Sequence, residues 1–274
     1  MAQRHSRAGN VDVDGHPAVL EQRHPLAMVY GGGGVVGIAY TAGVAAGLAS
    51  TGIPVGEAPS LGTSAGSWTA SAIALGLTYD DLAELPVPSV PNARSGVLAR
   101  IARMVFGEST HHQVSVSAVT VRGRRRHILD GGVYALADLV AASSAVPGLL
   151  PPHRIDGRLY VDGGMWSVTS VDAADEADRV IVVAPLAGRV MGPMGRVAGA
   201  LLDRELGRWR ACHPEADIHM IRPNREMAKI VGVRPLALFD SERARAVYPL
   251  AYDQGVRWGE DIQSAAPARH QTAG

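Results

Sequence analysis

Cysteine and lysine are almost missing from this chain: Cys212 and Lys229 are the single examples in 274 residues. A lone cysteine closes no internal disulfide, so the fold rests on its core and needs no oxidising compartment. The near-total use of arginine for lysine reflects base composition rather than a binding role. Acidic and basic residues number 26 each, which leaves no net field to attract nucleic acid, and no nucleic-acid partner is expected. No run of about 18 uninterrupted apolar residues occurs; Ala39 to Leu48 comes nearest and is interrupted by glycines, so no spanning helix is expected. Residues 1–25 carry Arg, His, Asp and Gly without an apolar h-region, and read as a disordered arm rather than a secretory signal. The cytoplasm is the expected location, with at most peripheral, transient contact with a membrane surface.

What is present is globular: 47% hydrophobic and 19% charged residues, enough to bury a substantial core. One domain is expected over 26–262, followed by a small, polar tail at 263–274 that reads as disordered. Leu26 to Tyr30 is a short apolar strand stopped by glycines, and the Ala-rich stretch Ile38 to Ser50 reads as a helix. The same unit recurs around Gly66 to Leu75. Leu85 to Pro91 carries three prolines and reads as an extended, lid-like loop. A helix is expected over Val97 to Phe106 and a strand over Gln113 to Val121, with Arg122 to Arg126 a basic hairpin tip that reads as solvated, contact with an anionic surface being the alternative. A helix follows over Leu136 to Ala145, then a hairpin turning at Asp156-Gly157. The β-branched run Arg179 to Ala184 suits a strand buried on both faces. Residues 192–212 read as helix, Ile218 to Ile221 as strand, and Ser241 to Gly259 as a helix broken at Pro249. Strands alternating with helices imply an α/β fold with a mainly parallel sheet.

Three turns could carry chemistry. Gly62-Thr63-Ser64-Ala65-Gly66 is a G-x-S-x-G elbow, in which small residues permit a sharp strand-to-helix turn that presents the serine at the positive end of a helix. Gly31-Gly32-Gly33-Gly34-Val35-Val36-Gly37 offers backbone N–H groups to a developing oxyanion. Tyr160-Val161-Asp162-Gly163-Gly164 places a carboxylate in a glycine turn, where it can act as base. A competing reading takes Gly32, Gly34 and Gly37 as the G-x-G-x-x-G dinucleotide fingerprint, with Glu57 as its distal acid; it makes the chain a nucleotide-binding oxidoreductase and leaves Ser64 and Asp162 idle. A second D-G-G, at Asp130-Gly131-Gly132, reads as a turn or cap. His213 and His219 would be the histidines of a Ser-His-Asp triad, yet both suit ordinary structural roles. His111 and His112 are expected to point apart, and no metal is expected. Met165 and Trp166, next to the Asp162 turn, are candidate acyl-pocket residues, while Trp209 and Trp258 read as core.

In this order the motifs resemble the patatin-like phospholipases, a family of lipid acyl hydrolases with a Ser-Asp dyad. The resemblance spans roughly Leu26 to Pro185. The family's oxyanion turn G-G-G-x-[RK]-G is matched by Gly32 to Gly37, its elbow by Gly62 to Gly66, and its Y-x-D-G-[GA] turn by Tyr160 to Gly164. A further stretch, A-S-x-A-x-P-x-x-x-P-P, is matched by Ala142-Ser143-Ser144-Ala145-Val146-Pro147 with Pro151-Pro152. The resemblance implies a three-layer α/β/α architecture, Ser64 as nucleophile, Asp162 as direct base, and Gly32, Gly33 and Gly34 as oxyanion donors. It further implies a lipid or acyl-ester substrate of the phospholipase A or esterase type, and no cofactor. A patatin-like lipid-binding protein that keeps the elbow only as architecture is the non-enzymatic alternative. Two departures stand out. Val36 occupies the place of the usual Arg or Lys, whose charge would add positive potential beside the oxyanion, and Val168 and Ser170 stand where relatives often show Asn and Pro.

Overall fold

Every strand on the path to the candidate site is short, and each is held by neighbours on both sides. The computed structural model describes residues 23–188, 191–232 and 234–265. The apolar run Ala27–Tyr30 forms β1, and the glycines after it feed directly into α1, Gly34–Ser50, four residues earlier than the apolar pattern implies. There follow β2 (Ser60–Thr63), α2 (Ala65–Ala74), α3 (Tyr79–Ala83), α4 (Val97–Phe106), β3 (Val114–Thr120), β4 (Arg126–Asp130) and α5 (Leu136–Ser143). The remaining elements are β5 (His153–Ile155), β6 (Arg158–Asp162), β7 (Arg179–Val183), α6 (Gly192–Cys212), β8 (Asp217–Ile221), α7 (Arg225–Val231) and α8 (Ser241–Ala265).

The strands form one sheet whose centre, β3-β2-β1-β7-β8, is parallel throughout. The antiparallel strands β4, β5 and β6 gather at the β3 end. Strand alternation sends side chains to two cores. Met28, Tyr30, Ile181 and Val183 pack beneath a layer that includes α1, α2, α4, α5 and α8. Ala27, Val29, Val180 and Val182 face Leu202, Leu206 and Trp209 of α6 on the opposite side. The architecture is therefore three-layered α/β/α with a mainly parallel sheet buried on both faces, as the apolar run in β7 requires.

Three expectations are corrected or bounded here. α8 is not broken at Pro249 but runs through it. Losing one N–H bond is offset because α8 lies close against α1 along a seam of small residues, Gly43 and Gly47 meeting Ala251 and Gly255. The N-terminal arm falls outside the described residues up to residue 22, while His24 forms a parallel bridge to Ala177. Residues 266–274 of the expected tail likewise lie outside the described residues, and 263–265 belong to α8. Among the described residues no helix is long and apolar enough to cross a membrane.

Candidate active site

The register of β3 explains how Ser64 and Asp162 meet. One edge of β3 is occupied by β4 from Ser115 to Val119. On the other edge β2 runs parallel as far as Thr63, which lies opposite Ser117. There β2 stops, and β6 arrives antiparallel and places Asp162 opposite Ala118, the very next residue. The end of β2 and the end of β6 thus abut on adjacent rungs of one strand. Ser64 follows the first and Asp162 terminates the second.

The elbow holds Ser64 at φ 52° and ψ −118°, a conformation that costs a non-glycine residue on the order of 1–3 kcal/mol. Two hydrogen bonds fix it. The Ser64 N–H donates to Ser143 Oγ at 2.7 Å, and Ser143 Oγ donates to the Ser117 carbonyl at 2.7 Å. Ser143 sits at the C-terminal end of α5, inside the A-S-x-A-x-P stretch, so that stretch ties the elbow to β3. Gly66 is required by packing: a Cβ there would lie 1.9 Å from the Tyr30 carbonyl oxygen, which lets α2 leave the sheet tight against β1.

Asp162 is buried, and burial raises its pKa to about 6, against the opposing pull of the Ser64 hydroxyl and the Gly164 N–H. The Gly164 bond measures 2.6 Å. Gly163 packs so closely on β3 that a Cβ would stand 2.3 Å from the Ser117 carbonyl. The D-G-G turn is therefore shaped to seat the carboxylate against the strand that carries the elbow.

The glycine turn contributes unequally. Gly32, Gly33 and Gly34 all line the same cavity as Ser64, but the Gly32 N–H is occupied, donating to the Val168 carbonyl at 2.7 Å. The N–H groups of Gly33 and Gly34 have no acceptor among the described residues. They stand at the positive end of α1, with the positive end of α2 opening at Ser64. Val168 itself belongs to a buried loop anchored from α6. Ser167 Oγ donates to Glu205 Oε2 at 2.8 Å and accepts the N–H groups of Ser170 at 2.8 Å and Thr169 at 3.2 Å. Burial raises the Glu205 pKa, partly opposed by this bond. Val36 does not face the cavity. It is buried among Tyr40, Met191, Met227, Val231 and Val247, so no cation could be placed there without desolvation.

The cavity has a volume of about 350 Å³. Its walls come from far apart in the chain: Ile38 of α1, Trp68 of α2, Leu98 and Ile101 of α4, the loop Leu85 to Pro88, and the turn Pro235–Phe239. The side chains of Ser64, Ser144 and Asp162 are the polar ones on its surface, and Asp162 the ionisable one. Ser144 accepts the Trp68 indole N–H at 3.1 Å. The proline-rich loop forms part of its wall. Met165 lines it too. Trp166 does not; its ring turns outward, with the Arg126 guanidinium 5.7 Å from its centre. Trp68 and the Pro235–Phe239 turn were not expected from the sequence.

Other candidates fall elsewhere. Glu57 precedes β2, whereas the glycine turn follows β1; since β1 and β2 are parallel, the two lie at opposite ends of the sheet. The dinucleotide arrangement, which needs its acid after the second strand, is absent. Asp130 closes a turn by accepting the Gly132 N–H at 2.7 Å. His213 stacks on Trp209, and His219 bonds Asp217 at 2.8 Å; neither lines the cavity. His111 and His112 do not point apart: they occupy a turn before β3, and their rings stack with centroids 5.2 Å apart. No group of three or more potential metal-binding side chains occurs among the described residues.

A family model described as patatin-like phospholipase matches residues 86–175, a segment that contains Asp162 but not Ser64. Uncharacterized NTE family proteins of Mycobacterium bovis and Mycobacterium tuberculosis are 30% identical over 179 residues, 58% of this chain. The match spans only 30% of the length of those relatives. Among solved structures, VipD from Legionella pneumophila matches with 15% identity and a TM-score of 0.46, covering 88% of this chain and 67% of that one. The family's four motifs, in order on a three-layer fold, and the match of residues 86–175 to its model support a patatin-like phospholipase family for this chain.

Proposed function

We propose that the protein is a serine hydrolase that cleaves carboxylic ester bonds of lipids, with Ser64 as nucleophile and Asp162 as its direct base. The observation that carries this reading is the juxtaposition of Ser64 and a buried Asp162, at the abutting ends of β2 and β6, on the wall of an almost wholly apolar cavity. A base with a pKa of about 6 is ionised at neutral pH and still basic enough to take a proton in a transition state. In the first half-reaction Ser64 Oγ attacks the ester carbon while its proton passes to Asp162. The oxyanion is received by the N–H groups of Gly33 and Gly34, with Gly32 serving to hold the turn. Collapse expels the alcohol, which takes the proton from Asp162. Water then attacks the acyl-enzyme, giving its proton to Asp162 and returning free Ser64 and a fatty acid. The cavity suits an acyl chain because its walls offer no charge to a phosphate and few groups to a sugar.

Labelling with a fluorophosphonate probe and hydrolysis of p-nitrophenyl esters test the proposal. Wild type is expected to label and turn over, Ser64→Ala to do neither, and Asp162→Asn to lose turnover by at least 1,000-fold, on the order seen for removal of a nucleophile's partner. Labelling that persists in Ser64→Ala, or a folded wild type inert toward both probe and esters, would overturn it.

A further inference from the structure

The cavity mouth continues into an exposed apolar rim. Met165 is 62% exposed and Leu236 60%, and with Val87 they both line the cavity and face outward. Trp166, 54% exposed, lies next along the chain. A monomer seldom leaves such a cluster uncovered without a use.

A basic edge adjoins this rim. The turn between β3 and β4 carries Arg122, Arg124 and Arg125, all exposed and without an acidic partner among the described residues. The hairpin tip of β5 and β6 lies beside it, joined by the Val121 N–H to the Leu159 carbonyl at 2.9 Å, and adds exposed Arg154 and Arg158. Asp156 is the one acid in these two tips. Because β2 and β3 are parallel, β3 runs into its tip at the same end of the sheet where β2 delivers Ser64. Arg126, at the foot of the tip, joins the two zones. Its guanidinium pairs with both oxygens of Asp172, at 2.6 and 2.9 Å, and lies over the Trp166 ring. A chain with no net charge thus concentrates five arginines beside an apolar mouth.

We propose that this face docks on an anionic lipid surface. The arginines of the two tips would meet the headgroups, while Trp166, Met165 and Leu236 enter the interfacial layer and the cavity opens toward the acyl chains. A lipid surface fits better than a protein partner because the rim is continuous with an acyl-sized cavity and the two tips beside it carry five arginines against a single acid. The substrate's direction of entry rests on the acyl-hydrolase reading; the docking itself does not.

The test uses the full chain carrying Ser64→Ala, so that vesicles stay intact, and measures co-sedimentation with phosphatidylcholine vesicles with and without phosphatidylglycerol. Binding is expected to favour the anionic vesicles and to weaken at high salt. Each basic residue near such a surface contributes about fivefold, so Arg122→Glu, Arg124→Glu and Arg125→Glu together are expected to lower anionic binding by roughly 100-fold or more. Trp166→Ala is expected to weaken binding to both vesicle types. Equal binding to neutral and anionic vesicles, or undiminished binding by the triple variant, would overturn the proposal. With Ser64 restored, the triple variant is expected to hydrolyse a soluble short p-nitrophenyl ester at the wild-type rate. Inactivity of the wild type toward that ester, with vesicle binding as described, would sink the hydrolase reading alone. A triple variant that loses soluble-ester turnover would overturn the docking role, since those arginines would then be supporting the site itself.

Discussion

Asp162→Asn is expected to make the protein more stable while it abolishes turnover, and the gain can be sized from the structure. Burial raises the Asp162 pKa from the ordinary value of 3.8 to about 6, so the folded state holds that proton more than a hundredfold more tightly than the unfolded chain does. Each tenfold is worth about 1.4 kcal/mol, which makes the cost of keeping this carboxylate ionised in the fold roughly 3 kcal/mol. The sign follows from the raised value. Below pH 3.8 the group is protonated in both states and its favourable contribution is intact. As pH rises toward 6 the unfolded chain ionises while the folded one does not, and once pH passes 6 the contribution is gone. Asparagine stays neutral throughout and can still accept the Gly164 N–H through Oδ1. Urea unfolding of both proteins between pH 4.5 and 8 (roughly the window set by these values) should show the variant ahead by about 2–3 kcal/mol at the upper end, with the gap closing toward the lower. Other buried acids such as Glu205 cancel in the difference. In parallel, kcat/KM of the wild type should fall about tenfold per pH unit below 6. A variant equally or less stable than wild type at pH 8, or a gap that does not vary with pH, would refute the claim that Asp162 is a desolvated base.

The network around the elbow gives further expectations. Ser143→Ala removes the partner of the Ser64 N–H and of the Ser117 carbonyl, two buried groups; a loss of about 1–3 kcal/mol of stability per orphaned group and a lower kcat with little change in KM are expected, read by urea unfolding and ester kinetics. Val36→Arg restores the family's usual cation but places it among Tyr40, Met227 and Val247, so a loss of thermal stability without any gain in kcat is expected. Glu205→Ala releases Ser167 and, through Val168, the Gly32 N–H; kcat is expected to drop about tenfold, comparable to about 1.4 kcal/mol of lost oxyanion positioning. Glu205→Gln, which keeps an acceptor for the Ser167 hydroxyl, should recover most of that rate, whereas equal loss in both variants would assign the effect to charge.

What the sequence made legible was whatever a few neighbouring residues decide. The β-branched run of β7, the Asp156-Gly157 hairpin and the glycine turns are local in cause, and each lies where local chemistry places it. β2 was harder to see, because Ser60-Leu61-Gly62-Thr63 has almost no strand character of its own and becomes a strand by pairing with β1 and β3. Pro249 misled for the converse reason: a helix breaker by propensity is overruled where the rest of the helix is packed. The oxyanion turn was legible as a motif but not as a set of donors, since only the path of the distant 167–170 loop decides that Gly32 is already bonded. The cavity divides the same way. Its Pro235–Phe239 wall arrives from about 170 residues beyond Ser64 and carries no local sign of its destination. Trp68, however, was within reach. It lies four residues after Ser64 on the helix that the elbow begins, and residues four apart share a helix face. The serine and the tryptophan must therefore look into the same space, whereas Trp166, adjacent in sequence to the Asp162 turn, inherits no such constraint and faces outward. Helical spacing from the proposed nucleophile is thus a better guide to the pocket wall than proximity to the proposed base, and Trp68→Ala should enlarge the cavity where Trp166→Ala leaves it unchanged.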